Sequence, residues 1–455
     1  MRVFNRHVSM RGLTVFGFET LLISGSVVVA AQMRGTLEHA PNGLWKVVLA
    51  TALCELCFYY SELYDLTIVQ STRELVVRLL QAAGGAAIVL AVTCIAFPTL
   101  MLDPGTFVTA LGVFIVAVLT WRVAFNRLAH DPRLEERVLI LGTGHTANIL
   151  AQQISRQQDF AYRLVGFITQ HENATLVRRH DILGSADDIE RIVADRSVDR
   201  IIVGLSDRRG RLPIQELLRA KMAGVRVEDA ATTYERITGK LLLDDLKPSW
   251  LVFSDGFQAS RLTRLAKRTF DLVFAVIGGI VALPLMLLGA LAIRLESPGP
   301  IFYCQERVGE HGRVFKICKF RSMRIDAEQG TPIWAADKDD RVTRVGRFIR
   351  LTRIDELPQF WNVLKGDMSF VGPRPERPFF VQQLAEVIPF YMARHTVRPG
   401  LTGWAQVKYR YGSSVEDALE KLRYDLYYIK HLSLVFDLTI LIDTLKVIVS
   451  GKGAK

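Results

Sequence analysis

Residues Leu272–Ile293 read LVFAVIGGIVALPLMLLGALAI, an apolar run that contains no charged side chain. A helix of about 20 apolar residues is long enough to cross the hydrocarbon core of a bilayer. Pro284 lies inside the run and removes a helical hydrogen bond, and Gly278-Gly279 weakens the turn before it. We therefore expect a membrane helix-hairpin over about residues 265–296, broken at Pro284.

Basic residues flank this run on both sides. The flanking set is Arg261, Arg264, Lys267 and Arg268 before it, and Arg294, Arg307, Arg313, Lys316 and Lys319 after it. Lys and Arg accumulate on the cytoplasmic side of a membrane segment, so a simple span would have no outer end here. The flanks favour a re-entrant hairpin that enters and leaves one leaflet. The alternative is a fifth span that places the C-terminal region outside.

The hydrophobic excess of the chain lies in its first 130 residues. Four apolar segments fit membrane crossings there: Leu13–Gln32, Leu44–Tyr60, Ala82–Met101 and Thr106–Trp121. Arginines cluster before the first segment, between the second and third, and after the fourth, which predicts that both ends of the bundle face the cytoplasm. Residues 1–130 are thus expected to form a four-helix transmembrane bundle.

Residues 131–258 read as a cytoplasmic α/β Rossmann-like domain. Apolar strands such as Leu164–Ile168 and Arg200–Gly204 alternate with helical stretches, and Gly142, Gly144 and Ala147 match the G-x-G-x-x-A dinucleotide fingerprint. The strand that follows lacks the expected ribose-binding acid, and a Tyr-x-x-x-Lys pair is missing. A structural or regulatory role is favoured, and a membrane-anchored NAD-dependent nucleotide-sugar-modifying enzyme stays open as the rival.

Composition narrows the class of protein. The chain has 455 residues, a formal net charge of +11, 50% hydrophobic residues and five cysteines. Its mean hydropathy is +0.21. These values exclude disordered, collagen-like and disulfide-stapled chains. A basic and apolar chain suggests a membrane surface, a phosphate-bearing substrate, or both, and no feature points to nucleic acid.

Residues 259–455 carry the candidate chemistry. Arginines recur at every third position before an acidic pair: Arg341, Arg344, Arg347, Arg350 and Arg353. A solvated face and a phosphate-binding wall are alternatives, but the apolar residues between the arginines favour an amphipathic basic helix at the membrane surface. Pro358 is expected to terminate or kink this helix just beyond Asp355-Glu356. Arginines favour the ionised form of a carboxyl, and an ionised Asp can act as a nucleophile toward phosphorus. A non-enzymatic lipid-binding scaffold would use the same basic helix.

Two loops rich in glycine and proline follow the acidic pair. The first runs from Asn362 to Pro375 and fixes Arg374, and the second runs from Arg398 to Gln406. Arginine forks, glycine amides and a carboxylate for a divalent ion are the groups that a diphosphate substrate needs.

From about Arg264 onward the chain resembles the bacterial sugar transferases, the polyprenyl-phosphate hexose-1-phosphate transferases. The matching motifs are Lys267-Arg268-x-x-Asp271 with Pro284, KICKFRSM from Lys316 to Met323, DELPQ from Asp355, LKGDMSFVGPRP from Leu364 to Pro375, and VRPGLTGWAQ from Val397 to Gln406. The N-terminal bundle and the Rossmann-like domain resemble the large form of this family. The family's Ser before the hairpin Pro is Leu283 here.

The resemblance implies a reaction at the bacterial inner membrane, with the catalytic domain on the cytoplasmic side. A UDP-sugar, glucose or galactose, and undecaprenyl phosphate would give undecaprenyl-diphospho-sugar and UMP with Mg²⁺, initiating exopolysaccharide or O-antigen synthesis. Asp355 would be the nucleophile and a Mg²⁺ ligand, and Glu356 would assist, with acceptor deprotonation as one role open to it. The implied phosphate and nucleotide contacts are Arg350, Arg374, Arg398, Lys319, Arg321 and Gln406. A homodimer is also implied.

Overall fold

The computed structural model describes residues 2–3, 6–7, 10–35, 43–60, 79–88, 93, 104–129, 135–156, 162–169, 177–178, 181–205, 212–243, 256–257, 259–324, 341–409, 412 and 414–449. The chain divides into two compact units. The first is Met1–Val3 with His7–Thr233, and the second is Phe4–Arg6 with Tyr234–Lys455. The three-domain division at residues 130 and 258 stays a prediction.

The first unit begins with apolar helices, which are α1 Met10–Met33, α2 Gly43–Tyr60, α3 Leu79–Ile88 and α4 Pro104–Ala129, after the short strands β1 Arg2–Val3 and β2 Arg6–His7. Ile23, Phe58 and Phe114 belong to one buried cluster among these helices. A buried ion pair joins α1 to α4, with 2.5 Å between Arg122 Nε and Glu19 Oε1. The helices follow the predicted segments, but most of the third segment after residue 88 lies outside the described residues.

The first unit also contains a parallel α/β sheet. Its strands are β3 Glu136–Leu141, β4 Tyr162–Thr169, β5 Ile182–Ser185, β6 Arg200–Val203 and β7 Arg226–Asp229, and its helices are α5 His145–Arg156, α6 Ile189–Arg196, α7 Ile214–Met222 and α8 Ala230–Thr238. The spatial order is β5-β4-β3-β6-β7, and all neighbours are parallel. This is the strand order of doubly wound sheets. The two predicted strands, β4 and β6, are confirmed.

The glycine turn after β3 is explained by the packing of the chain on itself. Gly142 has φ +116°, and a Cβ atom there would lie 3.0 Å from the backbone carbonyl carbon of Gly204. Gly204 in turn lies against Ala147 at the start of α5. The fingerprint therefore lets β3, β6 and α5 approach closely, and this packing alone requires glycine at the turn.

The predicted break at Pro284 is not observed. Helix α9 is one element of 36 residues, Arg261–Glu296, and Pro284 lies inside it. A helix can continue through proline when it accepts the loss of one backbone hydrogen bond, which leaves a local weak point rather than an end. By length and composition, α9 and the Phe16–Met33 part of α1 are long enough and apolar enough to cross a membrane, which indicates a membrane protein.

Both ends of α9 contact the same compact unit. Near its start, Arg268 donates to the backbone carbonyls of Val363 at 2.7 Å and Leu364 at 2.8 Å. Near its end, Ile293 is buried in a small cluster, and Glu296 Oε1 accepts the backbone N–H of Arg344 at 2.8 Å. The middle of the helix exposes a row of large apolar side chains: Val276, Ile277, Ile280, Val281, Leu283, Leu285, Leu287, Leu288 and Leu291.

The remaining elements of the second unit are β8 Phe302–Val308, β9 Val314–Phe320, α10 Arg344–Leu351, α11 Phe360–Lys365, β10 Ser369–Val371, α12 Pro378–Val387, β11 Gly400–Thr402, α13 Trp404–Lys408, α14 Val415–Lys430 and α15 Leu434–Val449. β8 and β9 form an antiparallel hairpin that carries a Cys304–Cys318 disulfide, and β10 pairs with β11 in parallel. The core holds Tyr391, Tyr428 and Phe436. The architecture is mainly helical, as predicted.

The segment that follows the last strand of the sheet belongs to the second unit. Glu235 in α8 bonds to Lys430 Nζ at 2.7 Å and to His431 Nε2 at 2.5 Å. The carbonyl of Gly239 accepts a hydrogen bond from Trp404 Nε1 at 2.7 Å. The segment at 234–243 is therefore a structural part of the unit that contains the acidic pair.

The basic helix is shorter than predicted. α10 ends at Leu351, and Arg353 then takes a left-handed conformation with φ +60°. Asp355 and Glu356 lie on a separate 3₁₀ helix, Ile354–Gln359, and Pro358 is inside it rather than at a helix end. The left-handed residue interrupts the helical hydrogen bonds, so the acidic pair is turned away from the direction of α10.

Candidate active site

Asp355 is a buried carboxylate in the 3₁₀ helix. Asp355 is 8% exposed, and its Oδ1 atom is buried without a hydrogen-bond partner in the structure. Burial raises the pKa of Asp355 to about 6, the negative charge of Glu356 acts in the same direction, and Lys319, Arg353 and Arg350 oppose them. A buried carboxylate with an unpartnered oxygen is a reactive group when it is ionised, because no donor competes for its lone pairs.

Glu356 has the opposite environment. Its Oε1 accepts from Lys319 Nζ at 3.0 Å and from Arg374 Nη2 at 2.9 Å, and Arg353 Nη1 lies 3.8 Å away. Burial alone would raise the pKa of Glu356, but these three charges outweigh it and hold the pKa well below its usual range. Neighbouring carboxyls on a 3₁₀ helix point about 120° apart, so they can face different surroundings. The two acids therefore have distinct states at neutral pH.

The cations around the acidic pair come from separate elements. Lys319 lies on β9, Arg350 on α10, and Arg374 in the loop after β10. That loop is held by two backbone hydrogen bonds, from Gly400 N to the Pro373 carbonyl at 3.0 Å and from Gly372 N to the Thr402 carbonyl at 2.9 Å. Two predicted phosphate contacts, Lys319 and Arg350, are thus brought near the predicted nucleophile Asp355, and a third, Arg374, is brought to Glu356.

A small cleft of about 10 Å³, room for about one water molecule, lies beside the cations that hold Glu356. Its lining residues are Arg307, Ile317, Lys319, Gln359, Arg374, Pro375 and Gly400. Binding sites for whole small molecules usually occupy about 300–1,000 Å³, so this cleft has room for a single oxygen-sized group of a ligand as it stands. A larger apolar pocket lies among helices α1 to α4, but no titratable group with a catalytic environment lines it. We therefore place the chemistry at the smaller cleft.

A buried ion pair supports the loop that carries Arg374. Arg394 Nη2 lies 2.7 Å from Asp425 Oδ2 and donates to the Arg374 carbonyl at 3.1 Å. Arg394 Nη1 donates to the hydroxyl of Tyr391 at 2.7 Å. Burial raises the pKa of Asp425 to about 6, and the charge of Arg394 opposes this shift. The pair fixes the backbone of Arg374 from below the site.

The motif at the start of α9 supports the same loop from the other side. Asp271 Oδ1 accepts from the Ser369 hydroxyl and from the Phe370 N–H, both at 3.0 Å. Lys267 Nζ bonds to the Val371 carbonyl at 3.1 Å and to Asp437 Oδ2 at 2.6 Å. These residues hold β10, which leads directly into the Arg374 loop. The predicted hairpin residues Lys267, Arg268 and Asp271 therefore anchor α9 to the catalytic unit.

Three predicted ligand contacts are placed differently. The Arg321 guanidinium donates hydrogen bonds to the Pro298 carbonyl at 3.0 Å and to the Ser297 carbonyl and hydroxyl, at the end of α9. Arg398 Nε lies 3.3 Å from Glu310 Oε2. Gln406 Nε2 donates to the Leu401 carbonyl at 3.3 Å. None of these three contacts involves the acidic pair, and Arg321 in particular acts as a support for the α9 terminus.

Sequence reasoning did not assign four residues that the structure brings to the site: Arg353, Arg307, Gln359 and Arg394. Arg353 and Arg307 had been noticed only as members of basic stretches. Gln359 follows Asp355 by four positions, which on a helix is one turn, and this spacing was the available signal. Arg394 has no local signal, because its partner Asp425 comes from a distant helix.

A divalent cation fits this site only through Asp355. Its unpartnered Oδ1 is the kind of hard oxygen ligand that Mg²⁺ prefers, whereas Glu356 is already paired with cations. Among the described residues no group of three or more His, Cys, Asp or Glu side chains could enclose a metal. Mg²⁺ commonly binds through one or two carboxylates, with phosphate oxygens and water completing its shell. The residues present fit that mode.

Comparison with known families matches two parts of the chain. Residues 262–451 match the family described as bacterial sugar transferase. Residues 60–223 match a family described as CoA-binding domain. The first match contains α9, the acidic pair, its cations and the cleft, and the second contains most of the parallel sheet.

Curated relatives agree with the first match. A UDP-N-acetylgalactosamine-undecaprenyl-phosphate N-acetylgalactosaminephosphotransferase of Aeromonas hydrophila is 46% identical over 52% of this chain and 56% of its own length. A Bacillus subtilis (strain 168) protein named as a candidate undecaprenyl-phosphate N-acetylgalactosaminyl 1-phosphate transferase is 56% identical over 28% of this chain and 72% of its own. A UDP-glucose:undecaprenyl-phosphate glucose-1-phosphate transferase of Xanthomonas campestris pv. campestris is 29% identical over 100% of this chain and 96% of its own length. The chain spans little more than half of the length of the Aeromonas relative.

Proposed function

The chain belongs to the bacterial sugar transferase family, and we propose that it transfers a hexose 1-phosphate from a UDP-sugar to undecaprenyl phosphate, releasing UMP. The observation that carries the proposal is the buried, unpartnered Asp355 carboxylate next to a cleft lined by cations. Relatives with undecaprenyl-phosphate sugar phosphotransferase names support the reaction class.

The chemistry follows from Asp355 and the surrounding charges. A carboxylate oxygen of Asp355 attacks the phosphorus next to the sugar, and the bond from that phosphorus to the bridging oxygen breaks. UMP leaves with the electron pair, so the phosphosugar is held as an acyl phosphate on Asp355. The phosphate oxygen of the lipid then attacks the same phosphorus and frees the carboxylate. Lys319, Arg350 and Arg374 stabilise the negative charge that develops in both steps.

Glu356 serves in this scheme as the fixed anion of the site. Its contacts with Lys319 and Arg374 hold two cations in place before substrate arrives. Because its pKa is held low, it is a poor proton acceptor at neutral pH. The lipid phosphate needs no strong base, since a phosphate monoester is already ionised at neutral pH. The geometry therefore favours a positioning role for Glu356 over deprotonation of the acceptor.

Mg²⁺ is part of the proposal. When bound, it would supply positive charge for the diphosphate of the donor. Asp355 is the residue that would contact it, and phosphate oxygens would provide further ligands.

We also propose that α9 is re-entrant, with both ends on the cytoplasmic face of the inner membrane, and that α1 to α4 form a transmembrane bundle. A straight helix of 36 residues is about 54 Å long, far more than the hydrocarbon core of about 30 Å. Yet the contacts of Arg268 near the start and of Glu296 near the end are both made with the catalytic unit. A helix crossing the bilayer would separate these contacts onto opposite faces. Pro284 is the weak point at which α9 could turn back.

Thiol labelling tests the re-entrant path. Leu262 and Leu295 lie near the two ends of α9 and are 75% and 78% exposed. Leu262→Cys and Leu295→Cys should both react with a membrane-impermeant maleimide in inside-out vesicles and neither should react in intact spheroplasts, after subtraction of the wild-type signal. Labelling of the two positions from opposite faces would contradict the proposal and support a simple span.

A donor panel tests the reaction itself. The purified full-length chain, with undecaprenyl phosphate and Mg²⁺, should release UMP from at least one of UDP-glucose, UDP-galactose and UDP-N-acetylgalactosamine. Glucose and galactose are the sugars that the sequence resemblance implies, and the names of relatives add N-acetylgalactosamine. When the lipid phosphate is left out of the reaction, UMP release should stop after the first turnover. Chelation of Mg²⁺ should also lower the rate of UMP release. Absence of UMP with every donor would reject the function.

The cellular role follows from the reaction class. A lipid-linked hexose phosphate is the starting unit of exopolysaccharide or O-antigen repeats, and we propose that this chain makes that starting unit. We also propose that the chain is a homodimer.

A further inference from the structure

We propose that Arg307 and Gln359 form the subsite for the leaving nucleoside monophosphate, on the side of the cleft away from Asp355's attack. This inference rests on the proposed function and names the part of the donor that the cleft holds. Both residues line the cleft together with Lys319 and Arg374. Neither touches Glu356, which distinguishes them from the cations that hold the acidic pair.

The charges of the cleft leave Arg307 available. Lys319 and Arg374 each lie about 3 Å from Glu356, at 3.0 and 2.9 Å, so one carboxylate already neutralises part of their charge. The acid closest to Arg307 is Glu376, with 3.7 Å between Nη1 and Oε2. Arg307 donates its hydrogen bonds to neutral acceptors, which are the Pro375 carbonyl at 3.2 Å and Gln305 Oε1 at 2.8 Å. The cleft therefore carries surplus positive charge, as an anionic ligand requires.

Burial makes this surplus charge costly. Burial lowers the pKa of the Arg307 guanidinium, Glu376 opposes the shift, and the charges of Arg374 and Arg377 reinforce it. Its Nε atom is buried without a partner. Glu376, 3.7 Å away, offsets only part of the cost of burying this charge, so a further anion would stabilise the guanidinium. A phosphate group in the cleft would supply that anion.

Gln359 provides the second observation. It is 3% exposed, and its Nε2 donor is buried without a partner in the structure. It lines the same cleft and belongs to the same 3₁₀ helix as Asp355. A buried amide donor that lacks an acceptor costs about 1–3 kcal/mol, which a ligand oxygen would recover. The two orphaned groups point to one oxygen-rich, negatively charged ligand.

The order of the groups assigns the phosphate. In an in-line displacement the leaving oxygen lies opposite the nucleophile. Arg307 and Gln359 line the cleft and Asp355 does not, so we assign the nucleotide phosphate, the leaving side of the displacement, to Arg307 and Gln359. Arg307 then stabilises the charge on departing UMP, and it also provides a binding site for UMP as product.

Calorimetry with UMP and uridine tests the assignment in the purified full-length chain. Arg307→Gln should weaken UMP binding by about 10–100-fold, the loss expected for charge-assisted hydrogen bonds, and leave the weak binding of uridine unchanged. Gln359→Met, of similar volume, should weaken UMP by about fivefold. Arg313→Gln, an exposed arginine just before β9, is the matched control and should bind UMP like the wild type.

The outcomes separate this inference from the proposed function. UMP affinity in Arg307→Gln equal to that of the wild type would overturn the subsite, whereas a wild type that releases no UMP from any donor would reject the function itself. If Arg307→Gln does not fold, Arg307→Lys and Gln359→Met decide. Unchanged UMP affinity in both overturns the assignment, and weakened affinity in both with unchanged uridine binding supports it.

Discussion

Asp355→Asn should lower UMP release by at least about 10³-fold, because the amide cannot attack phosphorus. Glu356, its neighbour, is held by Lys319 and Arg374. The measurement is the initial rate of UMP release with the best donor of the panel.

The variant should keep its fold. Asn has nearly the shape of Asp, and burial already disfavours the charged form of Asp355, so removal of the charge should leave the melting temperature equal or higher. Glu386→Gln is the control, since Glu386 is exposed on α12 of the same unit and should retain full activity. Activity of Asp355→Asn within tenfold of the wild type would remove Asp355 as nucleophile.

Arg394→Met should produce the largest loss of stability among the site residues. The substitution leaves Asp425 buried with no counter-charge, a change that costs about 3–5 kcal/mol. For a unit of this size we expect the melting temperature in detergent to fall by about 6–12 °C or more. The carbonyl of Arg374 also loses a donor at 3.1 Å, so the KM for the donor should rise in the fraction that stays folded.

A double variant separates the ion pair from simple packing. Arg394→Met with Asp425→Leu removes both charges, and buried ion pairs replaced by apolar side chains are often neutral in stability. The double variant should therefore regain much of the lost melting temperature while the KM stays raised. A single Arg394→Met variant as stable as the wild type, or a double variant less stable than the single one, would contradict this account.

Local patterns were sufficient for much of the fold. The apolar run at Leu272–Ile293 predicted α9, and strand-like runs predicted β4 and β6. The C-terminal apolar segment is α15, which packs on the catalytic unit through Phe436 and Ile440. These elements depend on periodicity along a single segment, and periodicity is visible in sequence.

Features that depend on distant contacts were missed or misplaced. The basic stripe predicted one helix up to Pro358, but the left-handed Arg353 divides it, and a single positive φ has no signal in the spacing of arginines. The family resemblance implied Arg321 as a phosphate or nucleotide contact together with Lys319. β9 ends at Phe320, however, so the chain turns and Arg321 reaches the α9 terminus instead. The supporting pair Arg394–Asp425 joins two elements that only the tertiary fold brings together.

The most direct test of the account is the intact mass of the purified chain after incubation with its donor sugar nucleotide and Mg²⁺ in the absence of lipid. We expect a mass increase equal to one hexose phosphate, located on Asp355 by fragmentation, with one equivalent of UMP formed, and loss of the added mass when undecaprenyl phosphate is supplied. Steady turnover with lipid but an unmodified Asp355 throughout would contradict the covalent route.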